Sequence, residues 1–242
     1  MRLPCFRGDS YSSDTRNNWV GYLKKTIISP EGPPVVHNFA VAGNTVEDDL
    51  EFQMQRLFEK YPTAAALENG GSALFVIWMG INDCGCTVAD ELAPIVEKLF
   101  DAMHDIYVRW KGRSFLLIDI PPMERSPGGL DMDISAERYD TWNAELLAQA
   151  TEFSNTASKA SVFVVSAHRI ISDILDKPVN FGFSSDSEES EENSSEEPES
   201  GDEDEDESRL QKARKIWEDD IHISRATHQL VGDRLLRIFD QG

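Results

Sequence analysis

The sequence predicts an α/β fold, a three-layer α/β/α sandwich around a central parallel sheet of about five strands. Three observations carry that prediction. Short apolar, β-branched runs recur along the chain, and amphipathic stretches at helical spacing separate them. At 242 residues and 40% hydrophobic content, the chain is long enough for one sizeable core and too short for two. Strands alternating with helices imply parallel strands joined by right-handed crossovers, with helices covering both faces.

Taken in order, a first strand ends before Ser10. Val35-Val36-His37-Asn38-Phe39-Ala40-Val41 reads as a buried strand. Thr45 then caps a helix running to about Lys60, with Leu50, Met54, Leu57 and Phe58 on one side. Ala73 to Trp78 has no interior charge, as a strand covered on both faces requires. A helix from about Val88 to Trp110 carries Leu92, Ile95, Val96, Leu99, Met103, Ile106 and Trp110 at core spacing. Ser114 to Ile120 is the next strand, stopped by Pro121-Pro122. Ser135 caps a helix bearing Tyr139, Trp142, Leu146, Ala150 and Phe153, and Ser161 to Val165 is the last strand. Ser224 caps a closing helix with Leu230, Leu235 and Ile238 as its inner stripe.

Charge and cysteine usage narrow the function classes. The net charge is −21 and the pI near 4.5, which argues against a nucleic-acid or anionic-membrane partner. Fourteen acidic residues and no basic one fall between Asp186 and Glu207, so removing them from −21 leaves −7 for the rest. No apolar run approaches the roughly 18 residues of a membrane span. Met1 to Phe6 lacks an apolar core long enough for a signal peptide. Cytoplasmic residence is expected if Met1 is the true start, and an extracellular one if a leader precedes it. Cys5, Cys84 and Cys86 read as free thiols, because Cys84-Gly85-Cys86 is too tightly spaced for a zinc knuckle. With no metal-spaced His or Cys cluster, no phosphate loop and no dinucleotide fingerprint, no metal and no cofactor are expected. His37, His104, His168 and His228 read as structural or surface residues.

The candidate chemistry begins at Gly8-Asp9-Ser10, which alone is an ordinary turn. Three later stretches add what a serine nucleophile needs: Gly43 in Ala42-Gly43-Asn44, Asn82 in Gly80-Ile81-Asn82-Asp83, and Asp219 with His222 in Asp219-Asp220-Ile221-His222. A serine hydroxyl is a poor nucleophile unless an imidazole takes its proton, and a carboxylate fixes the imidazole's tautomer. Ser10, Gly43 and Asn82 each follow a predicted strand, where ligands bind in open parallel sheets. Asp219 and His222 precede the last helix, so one loop can carry them to the same edge.

These blocks resemble the SGNH or GDSL hydrolase superfamily, whose fold is flavodoxin-like. They are Gly8-Asp9-Ser10-Tyr11-Ser12, Asn38 to Thr45, Phe75 to Asp83 and Trp217 to His222. Val76-Ile77-Trp78-Met79-Gly80-Ile81-Asn82-Asp83, Asp119 to Pro127 and Pro178 to Phe183 are similar, more narrowly, to fungal acetylesterases of carbohydrate esterase family 16. The resemblance implies catalytic Ser10, His222 and Asp219. It also implies an oxyanion hole made of the Ser10 and Gly43 backbone N–H groups and the Asn82 side-chain amide. A side chain at position 43 would obstruct the close approach of substrate to backbone. The implied substrate is a small-molecule or oligosaccharide ester, cleaved at a short acyl group such as acetyl; a lipid or aliphatic ester is the second enzyme reading. Trp78, Trp142 and Trp217 are either a sugar platform or core. Arg7 stands where the family commonly has Phe, only Leu3, Cys5 and Phe6 remain of the apolar strand before it, a shortened strand, and Ser12-Ser13-Asp14 carries one more serine than the usual continuation. A displaced first strand would misaim Ser10, and a misplacement of about 1 Å costs on the order of a hundredfold in rate.

Residues 184–208 are almost wholly Ser, Glu, Asp, Gly and Pro. With nothing apolar to offset the entropy of ordering, the stretch is expected to be a disordered insert. Residues 1–183 and 209–242 then form one esterase domain around it, since loop-closure cost grows slowly with length. The insert is either a solvated spacer or, through serines set among acids such as Ser187 and Ser190, a phosphorylated or basic-protein-binding segment. That second possibility supplies a reading of a different class, a catalytically impaired relative acting as an interaction protein.

Overall fold

The computed structural model describes residues 2–13, 17–27, 35–62, 73–183 and 215–239, the side chains of 2–8 and 239 excepted. The acidic stretch 184–208 and the Cys5 side chain lie outside them. The strands are β1 (Arg2–Gly8), β2 (His37–Asn38), β3 (Ala73–Trp78), β4 (Ser114–Ile118) and β5 (Ser161–Val165). All pair in parallel, in the order β2-β1-β3-β4-β5. The helices, in chain order, are α1 (Ser10–Ser13), α2 (Trp19–Thr26), α3 (Val46–Lys60), α4 (Ile81–Cys86), α5 (Leu92–Arg109), α6 (Pro127–Asp131), α7 (Glu137–Thr156), α8 (Ala167–Asp176) and α9 (Arg225–Phe239).

From β1 the chain steps outward to β2, then returns past β1 to β3 and continues to β5. Right-handed crossovers therefore place α2 on one face and α3, α5 and α7 on the other. Packing agrees: α5 lies between α3 and α7, while α2 packs on α9. This is the three-layer sandwich read from the sequence. Leu74 to Trp78 and Phe115 to Ile118 are buried throughout, as strands covered on both faces must be.

The elements differ from expectation in instructive places. The first strand is not shortened: β1 runs seven residues and, after a register shift between Arg2 and Cys5, pairs with β3 in register from Cys5 opposite Phe75 to Gly8 opposite Trp78. The strand expected over Val35 to Val41 contracts to two residues, with Val35 and Val41 exposed. It is an edge strand, and Asn38 ends its ladder by spending its amide on loops: Nδ2 donates to the Ser12 carbonyl (2.6 Å) and Oδ1 accepts from the Ala40 N–H (3.0 Å). The helix expected from Val88 starts as a 3-10 turn at Ala89–Glu91 and becomes α-helical only at Leu92, leaving Val88 exposed. In α9 the fully buried large apolar side chains are Val231 and Leu235, with Leu230 and Ile238 only half-buried.

The caps expected at Thr45 and Ser224 form, Thr45 accepting from the Asp48 N–H and Ser224 from Thr227. The cap expected at Ser135 does not: the N-cap of α7 is Ala136, and Ser135 stands one residue before it, accepting from the Glu137 N–H. Helices α2 and α8 are additions. Asn18 caps α2 through the N–H groups of Val20 and Gly21, and Ser166 caps α8 through Arg169. Both bury one apolar face, Trp19, Val20 and Leu23 in α2 and Ile171 and Ile174 in α8.

Candidate active site

The strand order sets the site. With β1 between β2 and β3, the loop after β1 that carries Ser10 lies between the loop after β2 that carries Gly43 and the turn after β3 that carries Asn82. The chain reverses its direction of travel across the sheet at this point, the topological switch where open α/β sheets bind ligands.

Side chains fasten these three loops to one another. Asn38 holds the Ser12 carbonyl, joining the second loop to the turn that bears Ser10. Asn18 Nδ2 donates to the Tyr11 carbonyl (3.1 Å) from the start of α2. Asn82 Nδ2 donates to the Asn44 carbonyl (2.9 Å), beside Gly43. A primary amide has two N–H bonds on that nitrogen, so spending one on Asn44 fixes the orientation of the other. Asp83, buried next to Asn82, accepts from the N–H groups of Val46 (2.9 Å) and Glu47 (3.0 Å) and so holds the start of α3 to the turn after β3. Burial raises the Asp83 carboxyl, against the pull of those two N–H groups.

Glycines make the turns possible. Gly43 has φ +80, the left-handed region that side chains avoid. A Cβ there would meet no protein atom within 4 Å, so within the protein the requirement is conformational. Gly80 combines φ +120 with a Cβ position 2.2 Å from the Trp142 ring, so neither backbone nor packing admits a side chain. Trp78 and Trp142 are fully buried and belong to the core, not to a sugar platform; Trp217 is half-buried against it.

The fourth contribution is a short loop before α9. Trp217 and Ile223 form an antiparallel bridge, the Glu218 N–H donates to the His222 carbonyl (2.7 Å) and the Ser224 N–H to the Ile216 carbonyl (2.9 Å). Within this loop Asp219 Oδ1 accepts from the N–H groups of Ile221 (2.9 Å) and His222 (2.7 Å). The same carboxylate meets the ring, with Oδ2 2.8 Å from His222 Nδ1. Nε2, at the other end of the ring, is 3.0 Å from Ser10 Oγ. Slight desolvation raises the Asp219 carboxyl, but the two backbone N–H groups and the His222 ring outweigh it and hold it below the usual carboxylate range. An ionised Asp219 favours the tautomer with the proton on Nδ1, leaving Nε2 to accept from Ser10.

Five separated residues, Ser10, Gly43, Asn82, Asp219 and His222, thus occupy one edge of the sheet or the loop that meets it. Ser10, His222 and Asp219 form one hydrogen-bonded line, and Asn82 is bonded to the loop of Gly43. Among the described residues, no cluster of three His, Cys, Asp or Glu side chains could hold a metal ion, and no helix is long and apolar enough to cross a membrane. Cys84 is a buried free thiol and Cys86 an exposed one. His37 bonds the Tyr61 hydroxyl (2.6 Å) and His104 is exposed.

The family described as GDSL-like Lipase/Acylhydrolase matches residues 6–235. The chain belongs to that family. It is 25% identical over 190 residues to an acetylesterase from Thermothelomyces thermophilus, covering 68% of this chain and 62% of the relative, so less than two thirds of that protein's length is represented. Solved structures share the fold. A member of the lipolytic G-D-S-L family from Veillonella parvula superposes with a TM-score of 0.58 at 12% identity over 100% of both chains. A catalytic mutant of an acetylxylan esterase from Geobacillus stearothermophilus does so with a TM-score of 0.56 at 16% identity, covering 98% of this chain and 93% of that one.

The sequence reading gave no role to Asn18, Asn38 and Asp83, which fasten the loops around Ser10, Gly43 and Asn82 to one another. Adjacency to Asn82 was a usable signal for Asp83. Asn38 had its place at the start of the block Asn38 to Thr45, and Asn18 had no signal, because its partner is a backbone carbonyl in a loop whose placement follows from the fold.

Proposed function

We propose that the protein is a serine esterase that removes short acyl groups, acetyl foremost, from carbohydrates or small alcohols. The observation that carries the reading is the line from Ser10 Oγ to His222 Nε2 (3.0 Å) and from His222 Nδ1 to Asp219 (2.8 Å). Family membership supports ester chemistry, and the acetylesterase relative supports a small acyl group.

In this mechanism His222 Nε2 takes the Ser10 proton as Oγ attacks the ester carbonyl. The Ser10 and Gly43 N–H groups and the remaining Asn82 N–H stabilise the oxyanion, each donor contributing about 3 kcal/mol. Collapse passes the proton from His222 to the leaving alcohol and leaves an acyl group on Ser10. Water, activated by His222, then releases the acid and restores the hydroxyl. Residues 1–183 and 209–242 act as one catalytic domain around the acidic stretch, a reading supported by a family match that extends to both sides of it.

The test is hydrolysis of p-nitrophenyl acetate by the purified chain and by Ser10→Ala. Activity lost in the variant supports the reading; no turnover, or turnover indifferent to Ser10, ends it. Faster release from acetylated oligosaccharide than from triglyceride separates the carbohydrate substrate from a lipid one.

A further inference from the structure

Tyr11 directly follows the nucleophile, and its side chain does not stay with its own turn. The hydroxyl donates to the carbonyl of Ile221 at 2.5 Å, across 210 positions of sequence, in the loop that presents His222. The ring centroid lies 6.0 Å from that of His222, and the ring also packs against Trp78 (5.3 Å) and edge-on to His228 (5.8 Å). Tyr11 is 2% exposed, so its hydroxyl is shielded from competing water. The loop has a second tether, the Gly128 N–H of α6 to the Asp220 carbonyl (2.8 Å). Tyr11 instead ties this loop to the turn bearing Ser10, through its side-chain hydroxyl.

We infer that Tyr11 is a positioning residue: its hydroxyl, anchored beside Ser10, fixes the height and tilt of the loop that aims His222 Nε2 at Ser10 Oγ. Ser10 and Tyr11 share a peptide bond, and Ile221 and His222 share another. One hydrogen bond between Tyr11 and Ile221 therefore closes a short ring around the Ser10–His222 contact. Any movement of the loop away from the hydroxyl must stretch it. Two further features keep that bond intact. Burial, and next the nearby Asp9 charge, push the Tyr11 phenol well above its ordinary value despite the opposing Ile223 N–H, so it remains a donor throughout the neutral range. His228, desolvated first and repelled by His222 second, is pushed down to about 3 and stays an uncharged wall behind the ring.

The inference rests on the Ser10–His222 esterase reading, and the experiment keeps the two apart. Steady-state hydrolysis of p-nitrophenyl acetate is measured for the full chain, Ser10→Ala, Tyr11→Phe and Tyr22→Phe. Tyr22 is the control, since its hydroxyl makes a bond of equal length to Asp233 between α2 and α9. The expected result is a fall in kcat of about tenfold in Tyr11→Phe, the scale of one buried hydrogen bond, with KM within twofold. Tyr22→Phe is expected to keep the native kcat. Placing 4-aminophenylalanine at position 11 restores a donor at the same ring position and is expected to return kcat to within threefold; it also serves as the second variant should Tyr11→Phe not fold. Native kcat in Tyr11→Phe, equal losses in Tyr11→Phe and Tyr22→Phe, or no recovery with the amino ring overturns the inference. Turnover that does not depend on Ser10 overturns the esterase reading instead.

Discussion

Asp9 precedes Ser10 in the chain and Asp219 reaches it through His222, and their surroundings treat an identical carboxyl in opposite ways. Asp9, one residue before Ser10, is fully buried; Oδ1 accepts from the Tyr11 N–H (3.1 Å), and Oδ2 has no partner among the described residues. Burial pushes it up to about 7, with the Asp83 charge adding and backbone N–H groups opposing. The Asp219 side chain is 54% exposed yet sits below the usual range, because its own loop supplies two N–H donors and an imidazole. The turn that bears Ser10 is thus rigid by enclosure, whereas the loop of His222 is organised by local hydrogen bonds at the surface. The carboxyl nearer in sequence to Ser10 is suited to shaping the turn, and the distant one to orienting the His222 ring.

Four experiments sharpen or break that contrast, in descending size of effect. Ser10→Ala and His222→Ala are each expected to lower kcat by three or more powers of ten, and the double variant by no more than either, because the two act as a unit. Additive losses in steady-state assays would show that the line from Ser10 to His222 is not used. Asn82→Ala removes both a donor and the tie to Asn44, with an expected loss of about a hundred- to a thousandfold in kcat. A change confined to KM would remove Asn82 from the oxyanion hole.

Asp219→Asn tests the exposed side. Half-exposed charges are screened by water, so the expected loss in kcat is about ten- to a hundredfold, well below that of a sequestered triad. The sign of its pH dependence follows from its lowered value: the contribution is present above the ordinary carboxylate range and fades as pH falls through the depressed one. Asp9→Asn tests the buried side through stability. A carboxyl raised from 3.8 to about 7 gives stability that is fully present below about pH 4 and lost as pH rises through about 7. Thermal melts are therefore expected to show a native Tm that declines across that window relative to Asp9→Asn, by at least about 3 °C. Parallel curves for the two chains would place the Asp9 titration outside the window.

The contrast also explains what was legible beforehand. Apolar periodicity located β3, β4, α5 and α7, because interior segments are patterned by burial alone. It overextended β2, where an edge position and the Asn38 side chain end the pairing after two residues. It passed over α2 and α8, which are short and whose apolar faces become meaningful only against α9 and the sheet. Ser10, Gly43, Asn82, Asp219 and His222 were readable as motif residues, each set in a short block of characteristic composition. The reasons for some of them were not. Gly43 takes a left-handed φ that no local pattern announces, and Trp78 and Trp142 near the motifs are core.

By itself the sequence determined the layered fold and the residue types of the candidate site, since hydrophobic period and short motifs are local properties of the chain. Tertiary structure alone decided which carboxyl is enclosed and which is served by hydrogen bonds, and that the Tyr11 hydroxyl meets the carbonyl next to His222. Those outcomes depend on distances between loops far apart in sequence, and such distances exist only once the strand order β2-β1-β3 has brought the loops together.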